Sequence, residues 1–321
     1  MQPESLLRRV FLAIGLFGVL GGPNAVAAEN ITVGIVGSVP SIYWPLYIGI
    51  EKGVFAAEGV SPDIISLPSA SANMQQLVGR SLNIASTSII DPIRAVEKGA
   101  PVALLRIEGA APPFSLVSKP SITRIEDLKG KIISLGGLTD ITRFYVERML
   151  AAHGIKRGEF DMIYAGQSGA RLAALQAGAA DAALLSTPVD ALAEAAGFRN
   201  LGLVLDYVKD LPFSAYSVDV RWAMENKPAL QKFLAAYQRS TDWFYDDANR
   251  DEAIRIMSAL SGGQTANVTH TYGFFRKIEF FERTGKVSKA SLESLAEALK
   301  GFGIVETKID INALILPEGT P

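Results

Sequence analysis

The chain has 321 residues, 31 basic and 33 acidic side chains, two histidines and no cysteine. That composition excludes a disulfide framework, a thiol nucleophile, a thiolate zinc or iron–sulfur centre and a lipid-modified cysteine. With 49% hydrophobic and 20% charged residues the chain is globular, its length suits two domains, and a formal charge of −2 gives no basic footprint for nucleic acid.

The N-terminus comes first. Glu4 to Arg9 ends in the pair Arg8-Arg9, Val10 to Leu20 is almost wholly apolar, Gly21-Gly22-Pro23 breaks the run, and Ala25-Val26-Ala27 supplies an A-x-A cleavage site. This predicts a cleavable secretory signal peptide over residues 1–27, cut after Ala27 or Ala28. An apolar core of about eleven residues falls short of the roughly 20 that a membrane-spanning helix needs. No later stretch is long and apolar enough to span a bilayer, so the expectation is a soluble periplasmic protein. The absence of cysteine adds that it carries no lipid anchor.

Beyond this segment, short β-branched runs alternate with amphipathic ones. Strands are expected at Ile31–Val36, Ile64–Leu67, Leu82–Ser86 and Val102–Ile107. Helices are expected at Tyr43–Glu58, from Asn73, and at Ile89–Lys98. This βαβα rhythm predicts a parallel sheet with helices on both faces. A break at Gly109-Ala110-Ala111-Pro112-Pro113 follows, and the rhythm restarts. Ser115–Ser118, Lys131–Leu135, Phe160–Tyr164, Ala182–Leu185 and Leu203–Leu205 read as strands. Thr123–Glu126 reads as a capping box, Asp140–His153 as a helix, and further helices start at Ala170 and Val189. A second break falls near Leu211-Pro212-Phe213, before Ala215–Val218. From Pro228 the pattern is helical over 228–245, 250–260, 266–283 and 289–300.

Such helices cannot bury their apolar faces alone and need a sheet as partner. The reading is therefore an α/β protein of two lobes, each a mainly parallel sheet flanked by helices. Lobe 1 combines residues 28–110 with 215–321, and lobe 2 is 111–214. Crossings near 110–113 and 211–215 join them.

Ligands of open α/β sheets bind beyond the carboxyl ends of the strands, so the residues there are the candidates. They are Ser38, Tyr43 and Trp44 after the first strand, Ser71 after the second, and Thr87 and Ser88 after the third. In lobe 2 they are Thr139, Asp140 and Thr142, then Ser168, then Ser186 and Thr187. Small residues and hydroxyls recur where a helix begins, and helix starts expose N–H groups and a positive dipole end. Ser88-Ile89-Ile90-Asp91 and Thr187-Pro188-Val189-Asp190 have the form of caps. Tyr43 and Trp44 offer aromatic faces for stacking, or ordinary packing. Arg143 and Arg171, each near the start of a lobe 2 helix, are possible anion partners by a forked contact, or surface side chains. Asp140 is open to capping its helix, pairing with Arg143 or binding an amine, with capping favoured. His153 and His270 lack an oriented partner in the sequence and read as structural. Hydrolase, zinc-protease and nucleotide-loop motifs are absent from the sequence. The expectation is no catalytic residue, no metal site and no cofactor.

Several stretches carry a family resemblance. Tyr47–Phe55 ends in Glu51-Lys52-Gly53-Val54-Phe55, and Gln76–Ala85 has Asn83 at a position where aspartate is common. Asp127-Leu128-Lys129-Gly130-Lys131 and Ala173–Ala182 complete the set. In this order and spacing the chain resembles the periplasmic solute-binding proteins of ABC importers. The branch is the NitT/TauT, SsuA-like one that takes up nitrate, sulfonates, taurine and thiamine-precursor pyrimidines. The resemblance implies a type II, Venus-flytrap fold whose lobes close on a small-molecule solute. It implies a monomer that presents the solute to an ABC permease driven by its ATPase subunits. It places the solute at Tyr43, Thr87-Ser88, Thr139 to Thr142, Ser168 and Ser186-Thr187. Leu138, Asp140 and Ile141 depart from the small-residue cluster usual in the lobe 2 loop. They point to a partly apolar organic anion of the sulfonate or carboxylate class. The alternatives are a pyrimidine-precursor binding protein, a sensing subunit, or a pyridoxal-phosphate-dependent synthase of the same fold.

Overall fold

The computed structural model describes residues 28–37, 41–208, 211–317 and 319–320. The segment read as a signal peptide and Ser38 lie outside them. In chain order the first elements are β1 (Glu29–Val36), α1 (Trp44–Glu51), α2 (Val54–Ala57), β2 (Val60–Leu67), α3 (Ala70–Val78), β3 (Ile84–Ser88), α4 (Ile90–Glu97) and β4 (Val102–Gly109). Then come β5 (Phe114–Ser118), β6 (Ile132–Leu135), α5 (Ile141–Ala152), β7 (Asp161–Tyr164), α6 (Ser168–Gln176), β8 (Ala182–Ser186), α7 (Val189–Ala195) and β9 (Arg199–Leu203). The chain continues through β10 (Ser214–Asp219), α8 (Val220–Glu225), α9 (Lys227–Tyr245), α10 (Arg250–Ser261), α11 (Thr265–Lys277) and α12 (Lys289–Gly301).

The strands form two five-stranded sheets, ordered β2-β1-β3-β10-β4 and β7-β6-β8-β5-β9. Both are mixed. β1 is parallel to β2 and β3, whereas β10 is antiparallel to β3 and β4. β6 is parallel to β7 and β8, whereas β5 is antiparallel to β8 and β9. A parallel neighbour needs a crossover element to reverse the chain. β5 and β10 each arrive directly from the other sheet and so run against their neighbours. Every residue of β3, β5 and β10 is buried, as central strands covered on both faces require, and the edge strand β4 is buried too, its outer side bridged by Ile315 and Phe281.

Some expected boundaries move. The helix expected over 43–58 divides into α1 and α2 because Gly53 turns left-handed at φ 67°. The expected helix 266–283 stops at Lys277; beyond it Glu279 has φ 47° and the chain turns inward, so that the Phe280 ring stacks on Phe275 at 4.3 Å. The ninth strand is Arg199–Leu203, ahead of the expected Leu203–Leu205. The capping box at Thr123 slips by one residue, with Arg124 as cap and Asp127 bonding back to its N–H at 3.2 Å.

The first lobe's core is aromatic. Trp44 packs on Phe244 at 5.5 Å and Tyr272 at 5.6 Å. α9 is amphipathic, burying Leu230, Phe233, Tyr237, Thr241 and Phe244 at spacings of three and four residues. Gly49 lets α1 approach it. A Cβ at Gly49 would overlap the Phe55 ring and press on Ser240 Oγ of α9. Gly49→Ala is therefore expected to destabilise the fold by about 1–3 kcal/mol through overpacking. An unchanged urea midpoint would contradict the close approach. A second core cluster runs between the lobes. Leu292, Leu295 and Leu299 of α12 join Ile93 and Leu104 of the first lobe with Leu116 and Phe144 of the second. Phe302 meets Phe144 edge-on at 5.2 Å.

Candidate ligand-binding cleft

Between the two sheets lies a cavity of about 520 Å³, lined from both lobes. Its walls are the carboxyl ends of β1, β3 and β8 and the starts of α5 and α6, together with the two chain crossings and part of α11. Tyr43, Thr87, Ser88, Asp140, Thr142, Ser168, Arg171, Ser186 and Thr187 all line it. A second hollow, about 620 Å³, lies between α10 and α11 and takes residues from the first lobe alone.

Other expected residues stand elsewhere. Trp44 is fully buried in the first lobe's core and donates its indole N–H to the Ala253 carbonyl at 2.9 Å. Ser71 donates to Asp91 Oδ1 at 3.1 Å and is not part of the wall. Thr139 faces away, and its carbonyl accepts from Arg94 at 3.2 Å, a bond that joins the lobes. Arg143 is buried, but its Nε is spent on Glu147 at 2.7 Å, one helical turn on. Ser38 falls outside the described residues.

The local chemistry follows from the loops. Asp140 caps α5: its Oδ1 accepts from Thr142 N at 2.9 Å and Thr142 Oγ1 at 2.6 Å. Asp91 folds back to accept from both Ser88 N, at 3.1 Å, and Ser88 Oγ, at 2.8 Å. The cap expected at Thr187 does not form. Asp190 instead accepts from Ser115 Oγ at 2.7 Å, and Thr187 Oγ1 is buried without a partner among the described residues. The Tyr43 hydroxyl accepts from Val36 N at 2.9 Å, and burial raises its phenol far above the ordinary value.

Among the described residues Arg171 is the one cationic side chain on the wall. It is only 5% exposed, and Nη2 donates to Ser168 Oγ at 2.9 Å. Nε and Nη1 have no partner among the described residues, and no carboxylate there reaches ion-pair distance. Desolvation pushes this guanidinium down to about 10, against the pull of the Asp140 carboxylate. A buried, still-protonated guanidinium with two unpartnered donor nitrogens is a receptor for an anion.

Residues not expected from the sequence complete the site. Phe114, Phe213, Ile42, Ile141, Val189 and Val268 give it apolar surface. Ser86 and Ser214 add hydroxyls, and Asn267 an amide. Ser86 adjoins the expected Thr87, whereas the others are brought in by the crossings and by α11.

This arrangement is the two-lobed α/β fold seen in periplasmic binding proteins. The chain belongs to the NMT1/THI5-like family, whose model matches residues 42–250. No curated protein matches it. Among solved structures it is similar to the alkanesulfonate-binding protein SsuA from Xanthomonas axonopodis pv. citri bound to MOPS, at 17% identity over 90% of this chain and 99% of that one, with a TM-score of 0.74. It is similar to the periplasmic nitrate-binding protein NrtA from Synechocystis PCC 6803, at 15% identity over 89% and 85%, TM-score 0.71. It also resembles DszB in complex with biphenyl-2-sulfinic acid, at 16% identity over 91% and 97%, TM-score 0.67. At these identities the likeness is one of fold. Among the described residues no helix is long and apolar enough to cross a membrane.

Proposed function

We propose that this protein is the solute-binding component of an ABC importer. It captures a small organic anion of the sulfonate or carboxylate class between its lobes and delivers it to a membrane permease. The lobes, residues 28–110 plus 215–321 and residues 111–214, close about the two crossings. Residues 1–27 export it to the periplasm. The observation that carries the reading is Arg171, a buried cation on the cleft wall with two unpartnered donor nitrogens and no acidic partner in contact among the described residues.

Two further features support it. A cavity of about 520 Å³ with Phe114, Phe213 and Ile141 on its walls suits an organic body behind the anionic head rather than a bare inorganic anion. Among the described residues neither lysine nor histidine lines it. That favours a carrier over a pyridoxal-phosphate enzyme.

A thermal-shift panel of alkyl and aryl sulfonates, carboxylates, nitrate and aminopyrimidines tests the reading. A bound anion at 100 times its Kd adds about 2.7 kcal/mol of stability. At least one organic anion is expected to raise Tm, with nitrate giving no shift. A response confined to neutral pyrimidines would replace the anion with a pyrimidine precursor. No response at all, with no small molecule retained in native mass spectra, would remove the binding function.

A further inference from the structure

The two crossings tie the lobes together at one end of the cleft. In the first sheet β10 and β4 carry them and stand last in the strand order, with β2 at the opposite edge. In the second sheet β5 and β9 carry them, with β7 at the opposite edge. A swing about the crossings therefore parts the β2 and β7 side most. Two side chains reach between the lobes on that side. Arg94 Nη1 of α4 donates to the Thr139 carbonyl at 3.2 Å, and Thr139 follows β6, the neighbour of β7. Gln167 Nε2, at the cap of α6, meets the carbonyl of Pro68, just past β2, at 3.5 Å. The first bond is charge-assisted, whereas the second is at the long limit for a hydrogen bond. Pro68 and Gln167 line the cavity, and Arg94 is not on its wall among the described residues.

The loop that Arg94 grips is firmly built. Arg143 Nη1 holds the preceding carbonyl, that of Leu138, at 3.2 Å from within the second lobe. Gly136 N donates to Thr142 Oγ1 at 2.9 Å and closes the loop on itself. Asp140, next in the chain, caps α5 and lines the cavity. Adjacent carbonyls thus answer to one arginine from each lobe, on a loop that carries part of the cleft wall. A pull on Thr139 is a pull on that wall.

Closure also meets resistance here. Asp91, one turn before Arg94 on α4, is 6% exposed. Burial chiefly, and then the Asp140 charge, raises its carboxyl. Acids of the two lobes therefore stand in each other's field when the cleft is shut. The hydrogen bonds to Asp91 come from Ser71 and Ser88 of its own lobe and do nothing to join the two. Arg94 brings the opposite charge to the same junction.

We propose that Arg94 is a positioning residue for solute capture: through the Thr139 carbonyl it holds the second lobe's wall shut against the first, without touching the solute. The proposal rests on the lobe closure in the function given above, and not on which anion is bound. A solute that binds the shut form meets an affinity scaled by the fraction of protein that is shut. Loss of the bond therefore weakens every solute by the same factor, whereas loss of a wall residue weakens them unequally.

The test reads the distance between the lobes in dialysed protein with no solute added. The chain has no cysteine, so Asp63→Cys on β2 and Asp161→Cys on β7, both exposed, give two unique sites for spin labels. Pulsed dipolar spectroscopy of this labelled parent is expected to show a short-distance population. The Arg94–Thr139 bond is open to solvent, which keeps its worth near the low end for a charged donor. Arg94→Ala is accordingly expected to lower the ratio of short to long distances at least about three-fold. Arg94→Lys keeps a charge and N–H donors and is expected to fall between the two. A parent found only at the long distance, or an Arg94→Ala distribution that superposes on the parent's, would overturn the proposal and leave the anion reading standing. A solute panel without any response would remove the anion and leave the latch, since the distances are read without one.

Discussion

An Arg171→Met variant is expected to lose about two orders of magnitude in solute affinity and, without solute, to unfold at a higher temperature than the wild type. The two effects share one cause. Arg171 holds a charge at 5% exposure, with Nε and Nη1 unpartnered among the described residues and only Ser168 Oγ accepting from Nη2. A face-on approach to the Phe114 ring at 5.7 Å offsets part of the desolvation. Each buried donor left unmet costs about 1–3 kcal/mol in the unliganded fold. Methionine keeps the apolar stem and removes those donors. At roughly 2–4 °C per kcal/mol for a chain of this size, the rise is measurable by thermal unfolding. In the complex the same guanidinium meets the anion. Truncating one partner of a buried charge pair costs about 2–5 kcal/mol, roughly 30-fold to several thousand-fold in Kd. An unchanged Kd would sink the anion assignment. A large fall in unliganded Tm would make Arg171 a structural residue.

The contrast between Arg171 and Arg143 shows how far the site is legible in the sequence. Both open a lobe 2 helix, and position alone does not separate them. The separating signal is nonetheless in the chain. Arg143 has Glu147 four residues on, the spacing of a helical ion pair, and the structure forms it at 2.7 Å. Arg171 has Gln167, Ser168, Ala174 and Leu175 at the corresponding spacings, with no acid among them. Tyr43 and Trp44 are harder. They are adjacent aromatics at a helix start, and the turn of the backbone sends one to the cleft and the other into contact with Phe244 and Tyr272. Those partners are some 200 residues away in sequence, so no local pattern announces them. The alternation of strands and helices and the two breaks are local signals, and they give the two-sheet architecture. The antiparallel β5 and β10 come from the crossings, which a strand-by-strand reading does not orient. Glu108 is visible only as one acid inside the apolar run Val102–Gly109. Its meaning lies in β10, which sets Ser214 beside it from the far side of the second lobe.

That same glutamate predicts how stability responds to pH. Burial pushes the Glu108 carboxyl up to about 7 and, with lesser help from the Asp140 charge, the Asp91 carboxyl up to about 6. Around Glu108 stand the hydroxyls of Tyr43, Tyr216 and Tyr237 and, at longer range, the Arg106 guanidinium, which lies 4.4 Å over the Tyr237 ring. Ordinary carboxylates titrate near 4, so between about pH 4.5 and 7 the folded protein holds protons that the unfolded chain releases. The unfolded state then binds fewer protons, and stability falls as pH rises through that window. For Glu108 the loss is on the order of 3 kcal/mol by pH 8, or about 6–12 °C in Tm. At lower pH the trend reverses. Asp181 is held below its usual range by the Ile132 N–H and then by Lys119, so its contribution disappears as pH falls through its folded value. Maximum thermal stability is therefore expected near pH 4–5 rather than at or above neutrality. Glu108→Gln removes the titrating group and should flatten the decline between pH 5.5 and pH 8, with Asp91 supplying what remains. A wild-type Tm that is level or rising over that interval would show Glu108 to be ionised at no cost. A variant that keeps the full wild-type slope would place the titration on another group.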